Sequence, residues 1–196
     1  MKKKENQRIA LTKRLLRENL LKLMSEKNIK NITVMELCEA AEINRSTFYN
    51  HYGCPADVLM EIENSVVADL EEIWEKEGSG KNWTLNRRVE ALCTYILNNR
   101  ELFELLLRNS DTTSGFASLL MNASHVRMTY EQVFSYTKNE DSKKLVTTFL
   151  NNGAYFMIRQ WLLEDIPKTP KEMGDLIYLV ASQGWLRTEY QLMSKS

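Results

Sequence analysis

The stretch that decides the fold is residues 33–52, which reads TVMELCEAAEINRSTFYNHY. Thr33 precedes a segment whose apolar residues have helical spacing, and Glu36 follows three residues later. A Thr with a Glu at this distance is the capping-box pattern of a helix N-terminus. This pattern predicts a short helix over residues 34–41. A second helix is expected to begin at Asn44, a good N-cap residue, and to run to about residue 52. Two short helices joined by a tight turn are the signature of a helix-turn-helix.

The start of the second helix carries the side chains that point to a function. In such a motif the second helix places its N-terminal residues in the major groove of DNA, and the first helix lies across the phosphate backbone. Arg45 is the only Lys or Arg between residues 31 and 60, and its guanidinium can pair with guanine or with a phosphate. The residues expected to reach the groove or its edge are Asn44, Arg45, Ser46, Thr47, Tyr49, Asn50 and His51. An ordinary helical hairpin with a polar surface would show the same pattern, and this alternative stays open here.

The segment before the motif is basic. Residues 1–30 carry ten Lys or Arg against three acidic residues, a net charge of +7, whereas the whole chain has a net charge of zero. The rest of the chain is therefore acidic, and this asymmetry is what phosphate attraction at one end would require. We expect residues 1–8 to be an arm without periodicity and an amphipathic helix to run from Thr12 to about Asn28. A charged helix face with a frayed tail would explain the same charges.

The remainder of the chain is predicted to be helical. Pro55 is suited to the first position of a helix that continues to about Glu77, and Gly78-Ser79-Gly80 is the clearest break. Further helical patterns cover residues 84–98, 101–108, 114–136, 142–163 and 170–193, and no long period-two alternation indicates a sheet. The sequence therefore predicts an all-α protein with a three-helix DNA-binding domain over residues 1–54 and a helical body over residues 55–196.

The sequence contains none of the common motifs of enzymes, metal sites or membrane proteins. The sequence has two His and neither a G-x-S-x-G motif, a phosphate-binding loop nor an H-E-x-x-H motif, so we expect no enzyme activity, no cofactor and no metal site. No apolar run reaches the ~20 residues that span a bilayer, which predicts a cytoplasmic protein without membrane contact. The three cysteines, Cys38, Cys54 and Cys93, follow no paired spacing and are expected to be reduced.

The same stretch also resembles a known family. Its T-V start, its A-x-I-N-R turn and its T-F-Y-x-H-Y ending resemble the DNA-binding signature of TetR-type transcriptional regulators, over residues 8 to about 60. The resemblance implies that Thr33 caps its helix and touches a phosphate, and that Tyr49 and His51 hold phosphates. Two positions depart from the pattern. Glu42 stands where many members have Gly, and Pro55 where many have a Lys, so we expect the basic arm to supply the missing phosphate contact.

The resemblance extends more weakly to the body. Residues 151–177 are similar to the C-terminal domain of a Firmicutes branch that includes regulators of dihydroxyacetone kinase operons. TetR-type regulators dimerise through their last two long helices, which here implies an interface at Phe149, Gly153, Ile177, Ala181, Gly184 and Trp185. The small residues in these apolar stripes would equally suit packing within one chain.

An inducer pocket in the body is likewise implied by the resemblance. Its candidate lining is aromatic or Met, namely Trp74, Trp83, Tyr95, Phe103, Phe116, Met121, Met128, Tyr130, Phe134 and Phe156. The same side chains could simply fill the core. The resemblance thus implies a repressor that binds a palindromic double-stranded operator as a homodimer and is released by a small-molecule inducer. A helical adaptor or coactivator that works through a protein partner is the alternative.

Overall fold

The computed structural model describes residues 2–78, 85–109 and 139–193, and all regular secondary structure in these ranges is helical. The N-terminal part comprises α1 (Lys2–Glu26), a 3-10 helix (Ile29–Asn31), α2 (Val34–Ala40), α3 (Arg45–Tyr49) and α4 (Pro55–Gly78). The remaining described helices are α5 (Leu85–Asn98), α6 (Arg100–Asn109), α7 (Glu140–Leu163) and α8 (Pro170–Met193). The predicted all-α class is confirmed. The helix predicted over residues 114–136 lies outside the described residues.

The chain divides into two compact units. The N-terminal unit comprises Met1–Val66 and Leu105–Asp111, and the C-terminal unit comprises Val67–Glu104 and Thr112–Ser196. The core of the N-terminal unit is built from apolar side chains that are each at most 3% exposed: Leu16, Leu20, Met24, Leu37, Phe48, Val58, Ile62, Val66, Leu106 and Leu107. Complete burial of one such side chain stabilises a fold by about 1.5–3 kcal/mol.

The first helix differs from the prediction. It begins at Lys2 rather than near Thr12, so the expected arm without periodicity is helical. Residues 5–11 are exposed, and Leu16 is the first buried residue of α1 among those described. Lys, Arg, Glu and Gln have good intrinsic helix propensity, so this segment extends the helix although no apolar stripe guides it. The basic segment is therefore presented on a helical extension of the N-terminal unit.

In the C-terminal unit, α8 packs closely against α5. A Cβ atom added to Gly174 of α8 would lie 2.5 Å from the carbonyl oxygen of Asn86 and 3.1 Å from the amide nitrogen of Glu90, both in α5. The backbones of the two helices can approach this closely only because Gly174 has no side chain. Asn86 also donates a hydrogen bond from Nδ2 to Oδ1 of Asp175 at 3.0 Å. None of the described helices combines the length and apolar character needed to cross a membrane.

Candidate DNA-binding site

The N-terminus of α2 is closed by a capping box, as predicted. Thr33 Oγ1 accepts a hydrogen bond from the Glu36 amide at 3.2 Å, and Glu36 Oε2 accepts from the Thr33 amide and from the Thr33 hydroxyl, both at 2.9 Å. Lys27 Nζ donates to Glu36 Oε1 at 2.5 Å. A contact between the Thr33 hydroxyl and a phosphate stays a prediction. It would require the hydroxyl proton to leave Glu36, because a hydroxyl has only one proton to donate.

These contacts shift the titration of Glu36. The hydrogen bond from Lys27, followed by those from Thr33, lowers the pKa of Glu36 from 4.5 to about 2. Because the pKa is lowered in the folded state, the stabilisation is complete above pH 4.5 and is lost as the pH falls toward 2.

We therefore expect the stability difference between wild type and Glu36→Gln to be largest near neutral pH and to shrink as the pH falls from 4.5 toward 2. Thermal unfolding of both proteins across this range tests the expectation. Glu39→Gln, which changes an exposed carboxylate on the same helix, is the control for the loss of one negative charge. A Glu36→Gln difference that is constant with pH would contradict the role assigned to this carboxylate.

The turn between α2 and α3 uses a left-handed residue. Glu42 has φ 54°, its amide donates to the Glu39 carbonyl at 3.2 Å, and the Ile43 amide donates to the Cys38 carbonyl at 2.9 Å. This pair of bonds is the Schellman motif, in which glycine usually occupies the left-handed position. The chain thus keeps the sharp turn of a helix-turn-helix although Glu42 stands where glycine would be least strained.

Glu42→Gly is expected to stabilise the protein by about 0.5–1 kcal/mol, because the left-handed conformation is unfavourable for a residue with a Cβ atom. The greater freedom of glycine in the unfolded chain offsets part of this gain. Urea unfolding of the two proteins measures the difference. The matched control is Glu39→Gly inside α2, which should destabilise by about 1 kcal/mol. A loss of stability in Glu42→Gly would show that the turn is not strained.

The second helix of the motif, α3, has five residues and is held by its N-cap and by one buried side chain. Asn44 Oδ1 accepts from the Ser46 amide at 3.2 Å, which confirms the predicted N-cap. Phe48 is fully buried, and its ring centroid lies 5.6 Å from that of Tyr49 and 5.7 Å from that of Tyr52. A helix this short is not stable by itself, so tertiary packing of Phe48 maintains it.

A polar cluster behind α3 was not predicted from the sequence. The Tyr52 hydroxyl donates to Glu61 Oε2 at 3.0 Å, Lys13 Nζ lies 2.7 Å from the same oxygen, and Lys13 Nζ also lies 5.4 Å from the Tyr52 ring centroid. Burial acts to raise the pKa of Glu61, but the hydrogen bonds from Lys13 and Tyr52 outweigh it and hold this pKa below its ordinary value. The cluster connects α1, Tyr52 after α3, and α4.

The predicted DNA contacts lie largely on the surface. Asn44, Arg45, Ser46, Tyr49 and Asn50 are exposed, whereas Thr47 and His51 are half-buried. A groove of about 560 Å³ beside the C-terminal end of α3 is lined in part by the carboxylates of Asp57 and Glu61. Tyr49 and His51 line the same groove, and their contacts with phosphates stay a prediction.

Four of the residues predicted to line an inducer pocket lie in the described part of the chain, and the rings of Tyr95 and Phe103 are in edge-to-face contact with their centroids 5.8 Å apart. Trp74 and Phe103 are buried in the C-terminal unit, and Phe156 is exposed. Tyr95 donates from its hydroxyl to Asp69 Oδ2 at 2.7 Å and lines a largely polar cavity of about 1010 Å³ on the same unit. The other candidates lie outside the described residues: Trp83, Phe116, Met121, Met128, Tyr130 and Phe134.

The residues predicted at a dimer interface separate into two groups. Phe149 is 73% exposed, and a Cβ atom added to Gly153 would meet nothing within 4 Å. Ile177 and Ala181 are only 4% and 2% exposed, so they belong to the core of this chain. The side chain of Trp185, and the surroundings of Gly184, lie outside the described residues.

The C-terminal half of the chain matches a family model. The TetR-type model for the transcriptional regulator C-terminal region covers residues 84–183. The chain belongs to the TetR family of transcriptional regulators. Members of this family are transcriptional regulators that bind DNA operators and usually act as dimers.

A curated relative agrees with this assignment. The uncharacterized HTH-type transcriptional regulator YxbF of Bacillus subtilis (strain 168) is 25% identical over an alignment of 178 residues that covers 86% of this chain. The same alignment covers 44% of the relative, so the chain spans less than half the length of that protein.

Solved structures share the fold. The TetR transcriptional regulator from Streptococcus agalactiae 2603V has a TM-score of 0.71 at 19% identity, over 92% of this chain and 99% of its own. A TetR-like transcriptional regulator from Rhodococcus sp. RHA1 has a TM-score of 0.60 at 15% identity, over 89% and 96%. The dihydroxyacetone kinase operon activator DhaS has a TM-score of 0.53 at 15% identity, over 87% and 93%, and it represents the branch that the body was predicted to resemble.

Proposed function

We propose that this TetR-type regulator binds a palindromic operator as a homodimer, with the N-terminal end of α3 in the major groove. The observation that carries the proposal is the placement of Arg45. It is exposed on the first turn of a helix that Asn44 caps and Phe48 anchors in the core. Side chains in this position of a helix-turn-helix reach base edges. The adaptor alternative is not favoured, because the family match is to transcriptional regulators.

The basic extension of α1 supports additional phosphate contacts. Residues 5–11 of this helix are exposed, and Arg8 lies among them. Pro55 begins α4 where many relatives have a phosphate-binding Lys, and it offers neither a charge nor an N–H group. We propose that cations of α1 provide the contact that Pro55 cannot.

The homodimer is proposed to form through α7 and α8. On α7, the exposed apolar residues Leu145, Phe149 and Phe156 follow the spacing of one helix face, and Gly153 leaves open space nearby. On α8, Tyr178, Leu179 and Val180 are 40–48% exposed. Exposed apolar side chains at this density mark an interaction surface. These α8 residues replace Ile177 and Ala181 in the proposed interface, because the latter two already pack within the chain.

We further propose that the protein is a repressor that a small-molecule inducer releases from DNA. We place the inducer site at the cavity beside Tyr95 in the C-terminal unit, where about 1010 Å³ would admit a small molecule and Asn86, Glu90 and Asn98 would select a polar one. If this ligand lowers operator affinity, operator must lower ligand affinity by the same factor. Measuring both affinities with one candidate ligand tests the coupling.

Selection of bound sequences from a random double-stranded DNA pool tests DNA binding and symmetry together. We expect enrichment of a palindrome whose half-sites are about one helical turn apart, with affinity that falls steeply as salt rises. Absence of any enriched sequence at low salt would overturn the proposed function, and a single non-palindromic site would overturn the homodimer.

Arg45→Ala is expected to weaken binding to the selected operator about 10- to 100-fold, because one bidentate contact between Arg and guanine contributes about 1–3 kcal/mol. Stability should change by less than about 0.5 kcal/mol, since Arg45 is exposed. Affinity for random DNA of equal length is the matched measurement. An equal loss on both DNAs would assign Arg45 to a phosphate rather than to a base.

A further inference from the structure

Asn109 connects two distant parts of the N-terminal unit. It is the last residue of α6, and its Oδ1 accepts a hydrogen bond from the Ile29 amide at 3.0 Å. Its Nδ2 donates to the Met24 carbonyl at 3.4 Å and to the Leu105 carbonyl at 3.0 Å. Ile29 and Met24 lie 80 and 85 positions earlier in the chain. The side chain therefore joins the end of α6 to the junction between α1 and the 3-10 helix.

This junction has backbone groups that need partners. Ile29 begins the 3-10 helix, so its amide has no acceptor within that helix, and Met24 lies in the last turn of α1, where carbonyl groups lack helical donors. The Ile29 N–H group can donate only to the oxygen of the Asn109 side-chain amide. The amide nitrogen is therefore the atom that donates to the Met24 carbonyl. One side chain thus satisfies a group on each side of the bend and fixes the bend between α1 and the 3-10 helix.

The same junction also contacts the first turn of α2. Lys27 lies between Met24 and Ile29, and its ammonium group bonds Glu36, which in turn holds the amide and hydroxyl of Thr33. Asn28 Oδ1 accepts from the Lys30 amide at 3.0 Å and caps the 3-10 helix. Asn109 thus holds the chain on both sides of Lys27, whose ammonium group contacts Glu36 in the first turn of α2.

We propose that Asn109 is a positioning residue of the DNA-binding unit. By fixing the bend after α1, it sets the orientation of α2 and α3 and thereby the affinity for operator. Leu106 and Leu107, which are 2% and 3% exposed, support it from the core of the same unit. This inference rests on the proposed function, namely that α2 and α3 contact DNA.

The experiment compares three variants of the full chain. Asn109→Ala removes all three hydrogen bonds, and Asn109→Asp retains an acceptor for the Ile29 amide. Asn152→Ala is the matched control, because Asn152 is exposed and its Nδ2 donates to the Thr148 carbonyl of its own helix at 2.8 Å. The two measurements are amide hydrogen exchange at Ile29, without DNA, and affinity for the selected operator at a temperature where circular dichroism shows each variant fully folded.

For Asn109→Ala we expect about tenfold faster exchange at Ile29 and about tenfold weaker operator binding, in keeping with the loss of two hydrogen bonds at the junction. Asn109→Asp should keep slow exchange at Ile29, and Asn152→Ala should match wild type in both measurements. A residue that serves stability alone would lower the melting temperature and leave the affinity of the folded protein unchanged. That result, or unchanged exchange at Ile29 in Asn109→Ala, would overturn the proposal. If wild type itself bound no DNA, the proposed function would fail, whereas Ile29 exchange would still decide whether Asn109 holds the junction.

Discussion

Phe48→Ala is expected to lower the free energy of unfolding by about 3–5 kcal/mol and to abolish operator binding. Phe48 is fully buried and is the buried side chain of the five-residue helix α3. Removal of such a ring loses its burial and leaves a cavity that close-packed neighbours fill only in part. Without this anchor α3 has too few residues to remain helical, so the proposed contact of Arg45 with DNA is lost with it.

Urea unfolding and operator binding measure the two effects of Phe48→Ala. Phe48→Leu is the control for volume, and it should retain DNA binding because a smaller change in packing costs less than removal of the whole side chain. Tyr49→Ala is the second control, because it removes an aromatic ring from the neighbouring, exposed position of the same helix. Tyr49 is 59% exposed, so its loss should alter operator affinity with little change in stability. A folded Phe48→Ala variant that binds operator with wild-type affinity would contradict the anchoring role of the ring.

Phe149→Asp is expected to convert the proposed homodimer to a monomer and to weaken operator binding about 100-fold or more. The substitution places a charge at the centre of the exposed apolar face of α7, where a partner helix would bury it without a counter-ion. A monomer reads a single half-site and loses the gain that comes from linking two binding events.

Sedimentation equilibrium measures the oligomeric state of Phe149→Asp directly. The matched control is Lys144→Asp, which introduces the same carboxylate at an exposed position of α7 that points about 140° away from Phe149. This control should remain dimeric. Dimerisation of Phe149→Asp with wild-type affinity would exclude the α7 face as the interface, whereas a monomeric wild type would remove the homodimer from the proposal.

The helix-turn-helix could be predicted because its signals are local. The Thr33–Glu36 capping box, the Asn44 cap and Pro55 at the start of α4 each depend on residues within one turn of the chain, and the structure contains all three. The conformation of Glu42 was left undecided by the sequence, because a non-glycine residue can either accept the left-handed conformation or avoid it. In the structure Glu42 adopts the left-handed conformation, with φ 54°, because the Schellman hydrogen bonds around it require that conformation.

Periodicity also identified the apolar stripes of the C-terminal unit but not what covers them. Ile177 and Ala181 lie on a stripe that packs within the chain, whereas Phe149 lies on one that stays exposed. A period of 3.6 residues shows that a helix has an apolar face, and it is the same whether that face meets its own chain or a partner. Only the burial of each side chain in the folded chain separates the two cases.

The amino-acid sequence by itself thus determined the helical class, the position of the helix-turn-helix and the residues on its exposed surface, because short-range capping and periodicity carry this information. The tertiary structure decided what holds that motif in place. Lys13 reaches Glu61 across 48 positions, and Asn109 reaches Met24 across 85. Such contacts follow no period and no local motif, since they arise only when separate segments of the chain pack together.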